Sequence, residues 1–159
     1  MTLEIALEAD EEWDSSTDWE ALARAAAQAA IAESRFPTLA HISRPVELSV
    51  RLAGDEEVRA LNSEWRGKDK PTNVLSFPLS EQRELAAADT DGPELMLGDI
   101  VLAHGVCETE AEDKAVSLSH HATHLIVHGT LHLLGYDLHD DAEAADMEAR
   151  ETRALARLG

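Results

Sequence analysis

Four histidines, His120, His124, His128 and His132, recur at every fourth position of one short stretch. On a helix that interval brings side chains back to one face, with Cβ atoms about 5–6 Å apart. Two imidazoles so placed can reach a single metal ion, and neutral imidazole is a good zinc ligand. After His132 the chain runs Leu-Leu-Gly135-Tyr136-Asp137. Gly135 suits the residue just past a helix end, where positive φ costs glycine nothing. A turn there would bring His139 back over the same ion. His128, His132 and His139 therefore read as a three-histidine centre with an open position, the form that catalytic zinc commonly takes. The competing reading is a row of half-buried histidines satisfied by hydrogen bonds. One pair four apart would favour that alternative; the glycine stop and the further histidine favour the metal. His120, His121 and His124 lie one to two turns earlier and read as structural or as supports for the ligands.

Zinc peptidases place a glutamate directly after the first histidine of such a pair, where it serves as general base. Here that position is Gly129, and the nearby Glu143 and Glu148 fall on the following helix. Peptidase chemistry is disfavoured, and a metal hydrolase with another substrate remains open.

An anion partner is suggested by Arg59, Arg66, Lys68 and Lys70, clustered within a chain of formal charge -19. Nucleic-acid binding usually needs a basic face, because neutralising phosphates supplies much of the affinity. The mean field here is repulsive, so the cluster is either a local positive patch or a solvated helix end and loop. The 159 residues suit one domain, 1–159, and 44% hydrophobic with 28% charged residues fits a soluble globular protein. No apolar run reaches the roughly 18 residues of a membrane span, and the acidic start shows no secretory or mitochondrial signal. Cys107 is the only cysteine, so no disulfide forms within the chain, and a reducing cytoplasm is the expected setting.

These groups must be held by a scaffold whose pattern is legible. Residues 3–7 alternate as a half-buried strand, and 46–53 repeat the alternation. An alanine-rich helix is expected over 19–33, with N-cap candidates from Asp14 to Asp18, and a short helix over 56–65. Residues 67–71 read as a loop, 73–78 as a strand, 81–95 as a polar, exposed excursion, and 98–106 as a strand. Helices are expected over 107–114, 117–134 and 140–158. The order predicts an α/β (α+β) domain: a small mixed four-stranded sheet covered by about five helices.

His128-Gly-Thr-Leu-His132-Leu-Leu-Gly-Tyr-Asp137, followed closely by a histidine, strongly resembles the signature of the YbeY endoribonuclease family. A second segment, Leu61-Asn62 and then Trp65-Arg66-Gly-Lys-Asp-Lys-Pro71-Thr-Asn-Val-Leu-Ser-Phe-Pro78, resembles it equally well, and Leu97-Gly98-Asp99-Ile100 also fits. The similarity runs from about residue 46 to the C-terminus. It implies a metal-dependent, single-strand-specific endoribonuclease that matures rRNA, notably the 3′ end of small-subunit rRNA, with a part in ribosome quality control. It also implies an α/β fold with the metal site beside an RNA-binding groove. The family's first two histidine ligands fall on His128 and His132, and its functional arginine on Arg66. The family's third histidine stands six residues after the second, at Leu138 here, so His139 is offset by one. A loop can absorb that offset; the alternative is a two-histidine site completed by Asp137 or water.

On this reading one Zn2+ per chain would acidify a coordinated water or polarise a phosphoryl oxygen. Arg66 would bind the phosphate and stabilise developing charge, and Lys68 and Lys70 would guide single-stranded rRNA. His124 and Asp137 would support the ligands. Expected partners are the ribosome or pre-ribosomal small subunit and basic ribosomal proteins, with no membrane. The competing class is a non-catalytic ribosome assembly factor with a structural zinc and an acidic protein-binding surface.

Overall fold

The structure, a computed structural model, describes residues 3–40, 42, 44–88, 93–137 and 140–159. In chain order its strands and helices are β1 (Leu3–Ala9), α1 (Trp19–Ala32), β2 (Val46–Ala53), α2 (Asp55–Arg66), β3 (Val74–Pro78), α3 (Gln82–Ala86), β4 (Leu95–Ala103), α4 (His104–Asp113), α5 (Leu118–Leu133) and α6 (Asp141–Arg157), with a 3-10 turn at Pro37–Ala40. The sheet has the order β1-β2-β4-β3. β1, β2 and β4 run parallel, and β3 pairs antiparallel to β4 at one edge. This is the mixed four-stranded sheet expected from the sequence.

Period-two alternation divides the sheet's side chains between two layers. Ile100 and Leu102 of β4 join a large core with β2, α1 and α5, whereas Val101 and Ala103 join a smaller cluster with Val58 of α2. Small side chains set the layer spacing. Ala23, Ala26, Ala27 and Ala30 of α1 are fully buried, and a β-carbon on Gly129 of α5 would meet Ile100 at 3.2–3.3 Å. The helix bearing the histidine pair thus lies close upon β4. Its start is capped by Ser117, whose hydroxyl accepts from His120 N–H at 3.1 Å, and it stops where Gly135 takes φ 99.

Two expectations need correction. Residues 81–95 are not wholly an exposed excursion. Glu81 and Glu84 form a capping box for α3, and Leu85 is buried beneath it; the described residues hold six α-helices. The strand expected over 98–106 begins at Leu95, and it ends at Ala103 because His104 already starts α4. Its apolar run continues into the helix, where Cys107 and Ala111 are buried, so hydrophobicity alone does not mark the join. Within β4 the pairing with β2 slips by one residue after Met96. Gly98 follows the slip with φ 146, and a β-carbon there would lie 2.3 Å from the Phe77 carbonyl oxygen. Only glycine permits that close approach of β3.

Candidate metal centre and basic groove

His128 and His132 emerge half-buried from the outer face of α5, one turn apart, with ring centroids at 4.6 Å. Each ring is tied at Nδ1. His132 Nδ1 lies 2.9 Å from the Tyr136 carbonyl oxygen, and His128 Nδ1 lies 2.8 Å from Glu151 Oε2 on α6. A carbonyl can only accept, so His132 Nδ1 carries the proton. Burial would raise the Glu151 carboxyl, but hydrogen bonds from His124 and His128 outweigh it and hold the group at about 2. Ionised, it too can only accept, so His128 Nδ1 carries its proton as well. The two Nε2 atoms then face one another across 3.0 Å. Two neutral rings in that attitude repel unless a cation or a proton lies between them.

The donor set fits a zinc ion. Two nitrogens each about 2.0–2.1 Å from a tetrahedral centre stand about 3.3 Å apart, close to the observed spacing. Burial, followed by the neighbouring His128 charge, pushes His132 down from its ordinary value, which favours the neutral ring a metal needs. Carboxylate and carbonyl partners on the far nitrogens are the usual way a ligating histidine is oriented. A second group of possible ligands, the carboxylates of Glu4, Glu47 and Glu94, offers oxygen alone. A hydrogen bond to Glu47 raises the Glu94 carboxyl.

The remaining histidines separate. His124 contacts the other oxygen of Glu151, the carboxylate that also meets His128. His120 does not share the site: it is exposed and lies beside Leu22 and Leu155. Each four-residue step overshoots a helical turn by about 40°, so a row of four residues cannot keep to one face. His121 is buried, with Nε2 2.8 Å from Glu110 Oε1. Glu110 in turn accepts from Asn73 Nδ2 at 3.1 Å, fixing the entry to β3.

The histidine pair opens into a cavity of about 620 Å³ whose wall carries Arg66, Lys68, Lys70 and Asp137. Asn62, only 2% exposed, shapes the basic loop, since its amide donates to the Lys70 carbonyl at 2.9 Å. Arg66 donates from Nη2 to the Ser76 carbonyl on the edge strand β3 at 3.1 Å. Arg59, the fourth member of the sequence cluster, does not line the cavity; it is paired with Glu56 and Asp69. Of the 13 arginines and lysines, eight arginines stand in such ion pairs among the described residues. Of the five without one, three are Arg66, Lys68 and Lys70. His139 and Leu138 lie outside the described residues. Glu151 was not singled out from the sequence. Its signal was an acidic residue in the same stripe as the buried Met147 and Ala154 of α6.

Fold and site together define a mixed α/β protein with a paired-histidine centre opening into a basic groove. The sequence profile of the endoribonuclease YbeY family matches residues 5–159, and the chain belongs to that family. It is 50% identical to the endoribonuclease YbeY of Rhizorhabdus wittichii over 99% of this chain and 94% of that protein. The corresponding protein of Sphingopyxis alaskensis is 52% identical, again over 99% and 94%, and that of Novosphingobium aromaticivorans is 53% identical over 98% and 92%. A Thermotoga maritima protein of known solution structure shares the fold, with a TM-score of 0.55 and 22% identity over 98% of this chain and 91% of that one.

Proposed function

We propose that this chain is a metal-dependent endoribonuclease specific for single strands. It acts in rRNA maturation, at the 3′ end of small-subunit rRNA, and in ribosome quality control. The observation that carries the reading is the pair of opposed Nε2 atoms, 3.0 Å apart, at the head of a groove lined by Arg66, Lys68 and Lys70. The catalytic unit is one domain, residues 1–159, working in the cytoplasm on pre-ribosomal small subunits and in contact with basic ribosomal proteins. Among the described residues no helix is long and apolar enough to cross a membrane.

His128 and His132 would hold one zinc ion through Nε2, with His139 as third ligand; Asp137 lines the groove wall. Zinc bound there supplies Lewis acidity for phosphodiester hydrolysis. Glu151 and the Tyr136 carbonyl keep both imidazoles in the tautomer that presents Nε2. Arg66 offers a planar, permanently charged fork to the scissile phosphate and to the charge that develops on it. Its bond to the Ser76 carbonyl fixes where that fork stands. Lys68 and Lys70 hold the neighbouring backbone as point charges.

The test is cleavage of a single-stranded oligoribonucleotide carrying the 3′-end sequence of small-subunit rRNA. His128→Ala and Arg66→Ala should lose cleavage while remaining folded, and a chelator should abolish wild-type activity until Zn2+ restores it. Full activity in both variants overturns the assignment. Zinc affinity that falls in His139→Ala and holds in Asp137→Ala supports the third ligand; the reverse replaces it with Asp137.

A further inference from the structure

On the far side of Arg66 the helices leave part of the sheet uncovered. A cleft of about 440 Å³ opens there, lined by Leu61 and Trp65 of α2, Phe77 and the following Leu79, and Asp99 and Val101 of β4. Ligand pockets commonly hold about 300–1,000 Å³. Trp65 is 65% exposed and Leu79 57%, whereas Trp13 and Trp19 are buried at 2% and 6%. Large apolar side chains gathered in a concave, water-facing site mark a place where something binds. Arg66 joins this cleft to the groove. It lines the groove, and its guanidinium stands 5.8 Å from the centroid of the Phe77 ring, which lines the cleft. A strand whose phosphate is held by Arg66 therefore has an aromatic wall within reach of the adjoining nucleotide.

We propose that Trp65 and Phe77 form a stacking subsite for one unpaired base, that of the nucleotide next to the phosphate bound by Arg66. The proposal rests on the endoribonuclease reading above and supplies a physical source for its strand preference. Every base has a π-face that an aromatic side chain can cover, whatever the sequence. In a duplex those faces are already covered by neighbouring bases; in a single strand they can splay out onto protein aromatics. A second copy of the chain is a poorer occupant, because a charge of -19 opposes self-association. Arg66, Lys68 and Lys70, which line the adjoining groove, supply the charge that draws RNA toward the cleft.

Trp65 makes the test direct, since the other two tryptophans are buried. In stopped-flow mixing of the intact protein with a single-stranded oligoribonucleotide, tryptophan fluorescence should be quenched before turnover. The quench should be absent in Trp65→Ala. In steady-state cleavage Trp65→Ala should raise KM about five- to 150-fold, the range that stacking one base accounts for, with kcat nearly unchanged. Trp65→Phe should restore most of the loss. An oligoribonucleotide made abasic at the adjoining nucleotide should cost the wild type the same factor and cost Trp65→Ala nothing further. RNA that is bound and cut with no quench, and with equal KM in wild type and Trp65→Ala, overturns the subsite and leaves the nuclease reading standing. A quench produced by concentrating the protein alone also overturns it. Wild-type protein that binds RNA with quenching but never cuts it overturns the nuclease reading instead.

Discussion

Replacing Glu151 by Gln removes one negative charge and one acceptor from behind His128 while leaving the side-chain volume almost unchanged. The Glu151 side chain is 14% exposed and meets both His124 and His128. A carboxylate can accept from both at once; a carboxamide has one acceptor oxygen and turns a donor toward the other ring. His128 Nδ1–H, 2.8 Å from Oε2, then competes with His124 for a single oxygen, and its ring is no longer held with Nε2 forward. Loss of such a supporting partner typically costs about 10- to 100-fold in metal affinity, or about 1.4–2.7 kcal/mol. Zinc affinity measured against a chromophoric chelator at fixed pH should fall by that factor, while circular dichroism of the metal-free protein shows an intact fold. A change of less than about threefold, well below that range, would refute the view that Glu151 orients the ligand. The same variant carries a pH signature. Glu151 is held at about 2 against an ordinary 4.5, so its stabilisation is complete above 4.5 and is lost as pH falls toward 2. In that acid window the metal-free wild type should lose thermal stability more steeply than Glu151→Gln; parallel curves would count against the paired carboxylate.

Gly98→Ala should destabilise the protein by about 2–5 kcal/mol, combining backbone strain with overpacking, because φ is 146 and the new β-carbon would sit 2.3 Å from the Phe77 carbonyl; a loss under about 1 kcal/mol in urea denaturation would show that β3 shifts freely. Burial pushes the Cys107 thiol up to about 12, so it should resist alkylation by iodoacetamide at pH 8 until the protein is unfolded. Labelling of the native protein as fast as a free thiol would contradict that burial.

Local chemistry made much of the fold legible before any coordinates. β2 spans the expected residues because Pro45 and Gly54 flank a clean alternation, and α5 stops where its glycine stops it. Failures came where the deciding contact is distant. Leu85 gave no periodic signal, and its burial is a tertiary fact. The histidine pair was readable from its spacing, yet the carboxylate that sets its tautomer belongs to α6, 23 residues from His128. The row of four histidines misled because sequence spacing of four is not quite a helical turn, which removed His120 from the face. Arg59 follows the solvated-helix-end reading of the basic cluster: Glu56, three residues earlier on α2, is visible in the sequence, and Asp69 reaches it through the fold of the basic loop.

That loop also accounts for how so acidic a chain can face RNA. Net charge is a property of the whole surface, whereas a phosphate feels charges within about 8 Å at physiological ionic strength. Distant carboxylates are screened, and many are engaged. Glu33 alone takes Arg153 and Arg157, and Arg51 gathers Glu8, Asp10 and Glu57. Ion pairing thus engages most arginines along with their partners, and among the described residues it leaves Arg66, Lys68 and Lys70, which line the groove, outside any ion pair. Asp69, in the same loop, is paired with Arg59. The mean field averages over the whole surface; the field at the groove depends on which charges the fold leaves out of ion pairs there.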